Sequence, residues 1–469
     1  MDTHAMKSFI GQWIEENRQE FIDCSQFMHH NPELSMQEFK ACAMLTDICR
    51  KHGFRVEEGV AGIPTAFVAT WGSGAPVVAY SVEYDALPGL SQRSATTKEP
   101  VIEGGPGHGC GHCLLGAGAL QAAVAQRYAM EKFGIKGTVK ILGTPAEEIC
   151  IGKPFMARAG YFDDIDVFLD WHPFINHTFV SRSSNAYCNK YYHFKGKTAH
   201  GNAPWNGRSA LDAAMLMGHA VEMLREHIKP GTEAAANTIN YTFSSVGPSF
   251  PSVVPDTTTA WYVGRFNTTG IMLDVLERLD NCARGAALAT GTTVEMELVT
   301  AIHEKIPNDV LADLLHENYL AIGPMEITAE EEAFAREMQK NAGNEPVGFT
   351  RKVLPPSSED APVCDTSEYT WFAPMGSFWP EVMPGPALHH WVITSTTGSS
   401  IGKRAVGYAA RVLASAAADL LAQPEILKKA WEEHTRRMDG RTFESLIPSH
   451  VQPDLNANRE LMEKYRDKD

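Results

Sequence analysis

Four apolar segments of strand length place the strongest constraint on the fold. They are AFVATW (66–71), PVVAYSV (76–82), GTVKILGTP (137–145) and DVFLDWHP (166–173). Between the second and the third lies CLLGAGALQAAVAQRYAMEKFG (113–134), whose small residues and final glycine predict a helix. Alternating strands and helices are typical of a mainly parallel sheet that helices cover on both faces. We therefore predict an α/β fold with a three-layer αβα domain.

The pattern changes near residue 187. From there to residue 303 the predicted order is strand, helix, two strands, helix and strand, the βαββαβ order of the ferredoxin-like split motif. We expect a compact domain at 187–303, inserted into a larger domain made of residues 1–186 and 304–469. The other predicted elements are helices at 7–29, 34–52, 308–321, 329–341 and 401–421, a strand in WVITSTT (391–397), and a charged, partly helical tail at 424–469.

Composition and charge exclude several classes of protein. The chain has 469 residues and a formal net charge of −16, which argues against nucleic acid and anionic membranes as partners. It has no run of eighteen or more apolar residues, and its N-terminus lacks a basic start followed by an apolar block. Nine scattered cysteines in a long chain do not resemble a disulfide framework. We expect a cytoplasmic protein.

The segment GHGCGHC (107–113) contains a C-x-x-C, which has three interpretations. A redox dithiol requires a thioredoxin-like unit with its first cysteine at a helix start, and the glycines and chain length do not favour one. A structural zinc site requires four protein ligands, often from a second C-x-x-C, which the sequence does not contain. The third interpretation takes Cys110 and His112 as metal ligands that need partners from elsewhere in the chain.

Candidate partners lie after predicted strands, where open α/β sheets place their sites. They are Asp85 after PVVAYSV, Glu147 and Glu148 after VKILGTP, His172 at the end of DVFLDWHP, and His389 before WVITSTT. Thiolate, imidazole and carboxylate together suit zinc, manganese or a similar ion. Two adjacent glutamates allow one to bind metal and the other to act as a general base. Each residue alone is more often structural, as a solvated helix start, a core histidine or a turn residue, so the hypothesis depends on the combination.

In this order, GHGCGHC, PAEE, WHP and LHHW resemble the aminoacylase and amidohydrolase branch of the dinuclear metallopeptidases, which includes bacterial glutamate carboxypeptidase. The resemblance implies that Cys110 bridges two divalent metal ions, zinc or manganese. The other ligands that it implies are His112, Glu148, His172 and His389. It also implies that Glu147 is the general base and that Asp85 supports the ligands.

The resemblance extends to the inserted domain. His200, in GKTAHGNAP, matches a histidine that in relatives reaches into the active site of the other protomer, where it helps hold the substrate or the oxyanion. The inserted domain of such enzymes is a lid and a dimerisation surface, so a homodimer is implied. Two positions depart from the pattern: Cys113 replaces an Asp or Asn, and Ser252 replaces an Asn that binds the substrate carboxylate. Arg265 is an alternative carboxylate partner, because its guanidinium fork matches that shape, or else makes a structural ion pair.

The expected function is a metal-dependent amidohydrolase that cleaves the amide bond of a small-molecule N-acyl amino acid, especially an N-aroyl one, or a related aryl amide. The alternatives are a dipeptidase or aminoacylase of the same family and a noncatalytic partner chain of a hetero-oligomeric hydrolase. Glu147 argues against the noncatalytic alternative, because a purely structural chain needs no free base. The aromatic segments WHPF (171–174) and SFWP (377–380) are expected either to line an acyl pocket or to belong to the core.

Overall fold

The computed structural model describes residues 3–180, 183–232, 236–248, 250–354, 360–361 and 363–466. The α-helices within these residues are α1 (Thr3–Glu16), α2 (Arg18–His30), α3 (Phe39–Lys51), α4 (His112–Phe133), α5 (Gly152–Arg158), α6 (Ala210–Arg225), α7 (Thr269–Thr290), α8 (Asp309–Ile322), α9 (Ala329–Asn341), α10 (Trp391–Gly398), α11 (Ser400–Ala422), α12 (Pro424–Met438) and α13 (Arg459–Glu463). The strands are β1 (Arg55–Glu58), β2 (Phe67–Ser73), β3 (Val77–Val82), β4 (Gly137–Gly143), β5 (Val167–Trp171), β6 (Phe174–Ile175), β7 (Phe179–Val180), β8 (Ser183–Ser184), β9 (Ala186–Lys195), β10 (Thr238–Gly247), β11 (Thr257–Phe266), β12 (Thr293–Ile302), β13 (Asp360–Ala361), β14 (Met375–Trp379) and β15 (Glu381–Met383).

The larger sheet has seven strands in the order β1-β2-β4-β3-β5-β14-β7. Its central strands β4, β3, β5 and β14 run parallel, and the strands at both edges are antiparallel to their neighbours. The central strands are buried along almost their whole length, as expected for strands covered on both faces. The prediction of an α/β fold with a mainly parallel sheet is confirmed.

One predicted strand is wrong. WVITSTT forms helix α10, and every residue from Trp391 to Thr397 is buried, so the segment has neither the alternation of a strand nor the periodicity of a surface helix. The imidazole Nδ1 of His390 accepts a hydrogen bond from the Val392 N–H and caps the helix start. The fourth parallel strand is instead β14. There a Cβ on Gly376 would lie 2.8 Å from Leu315 Cδ1, so a glycine allows α8 to pack closely.

Alternate residues of the central strands contribute to two different hydrophobic cores. Tyr80, Ile141 and Leu169 belong to the core that packs against α1, α2, α4, α8 and α11. Their neighbours Leu142 and Phe168 belong to a core on the opposite face, which includes Phe155 of α5. The sheet is therefore the middle layer of a three-layer αβα arrangement.

The second sheet has four antiparallel strands in the order β10-β11-β9-β12. Helices α6 and α7 pack on one face of it, around a separate core that includes Tyr192, Met217, Val275 and Leu279. Along the chain the elements follow the order β9-α6-β10-β11-α7-β12.

Helix α11 is the one element in the described ranges with the length and hydropathy of a membrane span. Of its most apolar window, 78% is buried within the protein. The helix packs against α4, α1 and α8, which is the environment of a core helix.

The chain after α12 runs along both parts of the molecule. Leu446 packs against the core of the second sheet, and the adjacent Ile447 is buried in a core of the first. Further on, the Asn458 side-chain amide donates a hydrogen bond to the Ser35 carbonyl. The C-terminal segment thus contacts both sheets and ends beside the N-terminal helices.

Candidate metal centre

Three neighbouring parallel strands deliver polar side chains to one edge of the larger sheet. Asp85 follows β3, the Glu147–Glu148 pair follows β4, and His172 follows β5. Strand β3 lies between β4 and β5, so the segments that follow these strands meet at the carboxyl edge of the sheet.

The first group of potential ligands consists of Cys110, His112 and His172, whose donor atoms all lie within 4.8 Å of one another. The Cys110 Sγ is 3.4 Å from His172 Nε2. His112 is the first residue of α4, which follows Gly111 in the left-handed region at φ 89°. A Cβ on Gly111 would lie 2.6 Å from Met383 Cε, so this turn requires a glycine.

The second group consists of Cys110, Glu148 and His389, again within 4.8 Å. His389 Nε2 lies 3.3 Å from Glu148 Oε2, and the His389 N–H donates a hydrogen bond of 2.8 Å to the Gly109 carbonyl. Cys110 is the one residue that belongs to both of these groups.

Asp85 orients the His112 ring. Its Oδ1 lies 2.8 Å from His112 Nδ1, which leaves Nε2 directed at the cluster. Its Oδ2 accepts hydrogen bonds from the Ser35 hydroxyl at 2.8 Å and the Glu148 N–H at 3.0 Å. Burial disfavours the Asp85 charge, but His112 and these hydrogen bonds outweigh burial and hold the pKa below its usual range. One carboxylate therefore positions parts of two ligand segments.

Burial sets the ionisation of the donor groups. It raises the pKa of the Cys110 thiol well above its usual range and, with repulsion from His112, lowers the pKa of His172 to about 4. It also raises the pKa of Glu148 to about 7. The imidazole of His172 is therefore neutral near pH 7 and able to ligate, whereas a thiolate at Cys110 requires a nearby cation.

Glu147 lies beside the cluster but belongs to neither group that contains Cys110. Its Oε2 is 3.6 Å from His112 Nε2, and its side chain is 12% exposed. Burial, followed by repulsion from Glu83 and Asp365, raises its pKa well above the usual range. A raised pKa makes this carboxylate a stronger base than an exposed one.

The loop that carries the glutamate pair is tightly held. Ala146 and Cys150 bracket it, and both lie in the left-handed region, at φ 60° and 53°. The Ala146 N–H donates a hydrogen bond of 2.9 Å to Glu38 Oε1, on a side chain that is fully buried. Backbone in this region costs about 1–3 kcal/mol per non-glycine residue and is found mostly at functional sites.

Sequence reasoning missed a buried charge cluster next to Glu147. The Lys153 ammonium lies 2.7 Å from Glu83 Oε1 and 2.6 Å from Asp365 Oδ1, and all three side chains are at most 1% exposed. Burial opposes the Lys153 charge, but Asp365 and Glu83 together hold its pKa well above the usual range. The E-x-D spacing of Glu83 and Asp85 at the end of β3 was a usable signal. The sequence offers no signal for the pairing of Lys153 and Asp365, which are 212 residues apart.

Comparison with known proteins fits this geometry. The profile described as Peptidase family M20/M25/M40 matches residues 79–262. The B chain of the p-aminobenzoyl-glutamate hydrolase of Escherichia coli K12 is 33% identical over 95% of this chain and 98% of its own length. The chain belongs to peptidase family M20. It is accordingly a hydrolase that acts on amide bonds.

Other relatives of this M20 chain are more distant. The Xaa-Arg dipeptidase of Mus musculus is 31% identical over 70% of this chain and 74% of its own length. A Bacillus subtilis structure described as a dinuclear metal binding peptidase from the M20 family superimposes with a TM-score of 0.58, covering 86% of this chain and 98% of that one. At 17% identity, that likeness concerns the fold.

Cys113, the departure next to the metal-ligand motif, is not oxidised to a disulfide with Cys110. Its side chain projects from α4 and is fully buried in the core, and burial raises the pKa of its thiol to about 12. Among the described residues it belongs to no group of potential metal ligands. It therefore packs as a small apolar residue at the helix start.

His200, Ser252 and Arg265 lie with the second sheet. His200 is exposed, its backbone bridges Val253, and its Nδ1 accepts a hydrogen bond from the Asn202 N–H. Arg265 donates a hydrogen bond to Asn240 and lies over the Tyr187 ring. In the described part of this M20 chain, none of the three predicted substrate residues hydrogen-bonds or ion-pairs with the Cys110 groups.

The aromatic segments divide between core and site. Trp171 is fully buried and donates a hydrogen bond from its indole to the Leu115 carbonyl. Trp379 stacks on the His172 ring with a centroid distance of 4.4 Å, and Phe174 lies edge-on to the Trp379 ring at 5.5 Å. Trp171 is therefore a core residue, whereas Trp379 borders a proposed metal ligand and Phe174 packs against Trp379.

Proposed function

We propose that this chain is a two-metal amidohydrolase that cleaves an N-acyl amino acid, with an aromatic acyl group as the leading substrate class. The observation that carries the proposal is the shared Cys110 sulfur, which belongs to two groups of donors and has the carboxylate of Glu147 beside it. Glu147 also forms a group of potential donors with Glu83 and His112, and we assign it as the base because it lies outside both groups that share Cys110. A single ion would not require a shared ligand.

The donor set fits two divalent ions. Cys110, His112 and His172 would hold one ion, and Cys110, Glu148 and His389 the other. In the described part of the chain, His112 Nε2 and Glu148 Oε1 are buried and have no hydrogen-bond partner. Such buried atoms are costly unless something binds them, and a metal would satisfy both. Mixed thiolate, imidazole and carboxylate donors favour zinc or manganese.

The residues divide the chemistry among them. Bound divalent ions supply Lewis acidity and make a water molecule acidic near neutral pH. The Glu147 carboxylate takes the proton of the attacking water and then delivers it to the nitrogen of the leaving amine. Asp85 keeps the His112 ring in place during this transfer. The products are a carboxylic acid and an amine.

A homodimer would complete the site. We assign residues 187–303 as a lid and dimerisation domain and residues 1–186 and 304–469 as the catalytic domain. His200 is exposed and makes no hydrogen bond to its own metal groups, so it is available to a neighbouring chain, where it would stabilise the oxyanion. Strand β10 is an edge strand that carries Tyr241 and Phe243, at 37% and 36% exposure. An exposed edge with apolar side chains favours pairing with a second copy.

The positions of aromatic and polar groups narrow the range of candidate substrates. Trp379 stacks on His172 and Phe174 packs edge-on against Trp379, and both rings would contact an aromatic acyl group. Ser252 would meet the substrate carboxylate, with Arg265 as a second candidate for that contact. The E. coli relative is named for p-aminobenzoyl-glutamate, which has both groups. The mouse relative, an Xaa-Arg dipeptidase, supports dipeptides as the second candidate class.

The other possibility is that this protein is active only together with a partner chain of different sequence. The A chain of the E. coli p-aminobenzoyl-glutamate hydrolase is 30% identical over 52% of this chain. If this protein needed such a partner, it would bind metal when purified alone without turning over any substrate. All the proposed catalytic groups are present in this one sequence, and His200 would come from a second copy of the same chain. We therefore favour activity as a homo-oligomer.

Metal analysis combined with a substrate panel tests the proposal. The purified full-length chain should hold about two zinc or manganese ions, whereas a thiol oxidoreductase or a noncatalytic partner chain should hold one or none. N-aroyl, N-acetyl and indoleacetyl amino acids and dipeptides are then compared by kcat/KM with each metal. Two bound ions and hydrolysis of the aroyl substrates are expected; a single ion, or no hydrolysis of any member, would contradict the proposal.

A further inference from the structure

A partly open cavity of about 200 Å³ lies apart from the metal centre, between the C-terminal end of α2, the loop before Gly107, helix α10 and the C-terminal segment. None of the proposed metal ligands lines it. The cavity is large enough for one aromatic ring with a small substituent, because a cavity of about 150 Å³ holds benzene in another protein.

The rim of the cavity is basic. Lys40, Arg93 and Arg466 line it, against the carboxylate of Glu33. Arg93 also forms an exposed ion pair of 3.9 Å with Glu99, so three cations face two carboxylates. The Glu33 carboxylate is already occupied in part, because its Oε2 accepts hydrogen bonds from the N–H groups of Lys40 and Ala41. This excess of positive charge contrasts with the formal net charge of −16 of the whole chain. A bound anion would therefore be favoured here and disfavoured over most of the surface.

Apolar side chains complete the lining. Val101, Ile102, Pro106 and Met462 face the same space as the three basic groups. A ligand that uses all of these groups must combine an apolar body with a negatively charged end. Inorganic anions would use the basic rim alone.

The cavity borders two segments that lead to the metal centre. Gly107 lies three residues before Cys110, and Thr394 lies five residues after His389. These two segments are joined by the hydrogen bond from the His389 N–H to the Gly109 carbonyl. A molecule in the cavity therefore contacts both segments without contacting the ligands themselves.

We propose that this cavity is a binding site for a small organic carboxylate with an apolar body, distinct from the metal centre. The carboxylate binds the Arg93 and Arg466 guanidinium groups at the rim, and the apolar body packs on Ile102 and Met462. The inference does not depend on the reaction proposed above, since none of these residues belongs to the catalytic group.

Benzoate is the probe, and calorimetric titration of the full-length, zinc-loaded protein is the measurement. Benzoate should bind with a dissociation constant of about 1 mM or lower. The double variant Arg93→Gln/Arg466→Gln should weaken binding about tenfold or more. Arg436→Gln, at an exposed arginine of α12, is the matched control and should leave binding within about twofold.

Two further ligands make the outcomes decisive. Benzamide has the same body without the charge and should bind at least about tenfold more weakly than benzoate. Inorganic phosphate should bind more weakly than benzoate because it does not use the apolar wall. The proposal is overturned if benzoate does not bind at about 10 mM, if phosphate binds better than benzoate, or if the arginine variants bind benzoate like the control. The last result would place the benzoate elsewhere, including on the metals.

Discussion

The two sheets of this protein use burial in opposite ways. At the carboxyl edge of the larger sheet, ionisable side chains are buried in pairs, such as Asp85 with His112 and Lys153 with Asp365. Around the second sheet the core is apolar, and large apolar side chains such as Met215 and Met223 are exposed instead, at 49% and 72%. Burying a charge costs free energy, so buried charges are found mostly where the chemistry requires them. Large exposed apolar side chains are found mostly where another surface covers them.

This difference predicts that equal substitutions will have unequal effects. A changed charge should be costly at the edge of the larger sheet and almost neutral on the second sheet. A changed apolar side chain on the second sheet should affect assembly with little effect on folding. The four predictions below compare matched substitutions in the two regions.

The largest effect is expected for Glu147→Gln. The amide keeps the shape of the side chain but cannot take a proton from water, so turnover should fall by about 10²–10⁴-fold. Metal content is measured beside turnover, because Glu147 also forms a group of potential ligands with Glu83 and His112; as a base outside the two groups that share Cys110, it should leave the metal content unchanged when substituted. Glu297→Gln, at an exposed carboxylate of β12, is the control and should leave turnover unchanged. Normal rates in Glu147→Gln with full metal content would refute the assignment of the base.

The second prediction concerns Lys153→Met. Removing the ammonium leaves Glu83 and Asp365 buried without their cation, which should lower the free energy of unfolding by about 3–5 kcal/mol. Lys195→Met, which breaks an exposed ion pair with Glu295 on the second sheet, should cost less than about 1 kcal/mol. Urea denaturation measures both variants.

Asp365→Asn in the Lys153→Met background sharpens this test. Neutralising one of the two stranded carboxylates should recover part of the lost stability, because the cost arises from unpaired charge. If the double variant is no more stable than Lys153→Met alone, the loss comes from packing around Lys153 and the buried charges are not what distinguishes the two regions.

Most of the larger sheet was predictable because its signals are local. Runs such as PVVAYSV and DVFLDWHP are continuous apolar segments that end at polar residues, and they form β3 and β5. The same reasoning failed for WVITSTT, because a helix buried on all sides has a strand-like composition and no periodicity. Strand β14 was missed because its short sequence, MGSFW, resembles a loop.

The candidate site was predictable only in part. Cys110, Glu148, His172 and His389 each stand in a recognisable motif, and the structure brings their donor atoms together. Lys153 stands in no motif, and its partners are distant in the chain, so only the folded structure reveals the ion pairs. The division of roles between Glu147 and Glu148 remains a prediction that the first experiment tests.

The third prediction concerns assembly. Met215 lies on α6, the helix that packs beside the β10 edge through contact between Gly218 and Tyr241. Met215→Glu should place a charge in the proposed dimer interface and raise the dissociation constant by about tenfold to a hundredfold. Leu320→Glu, at a 57% exposed leucine of α8, should leave the dimer intact. Sedimentation velocity measures the dissociation of the dimer in both variants. If the two variants dissociate to the same extent, the dimer interface does not lie on this face of the second sheet.

The smallest effect is expected for Ser252→Asn. Ser252 lies next to the bridge between His200 and Val253, so a longer amide side chain there would offer a substrate carboxylate two N–H donors in place of one hydroxyl donor. One added hydrogen bond to a charged group should lower KM about threefold to tenfold for substrates with a free α-carboxylate, with kcat unchanged. Ser244→Asn, at an exposed serine of β10, is the control and should change neither constant. The effect requires the loop that carries Ser252 to contact the substrate. If the KM shift in Ser252→Asn vanishes when Met215→Glu is added to separate the chains, this loop contacts the substrate at the metal centre of the other copy. A shift that persists in the monomer would place Ser252 over its own.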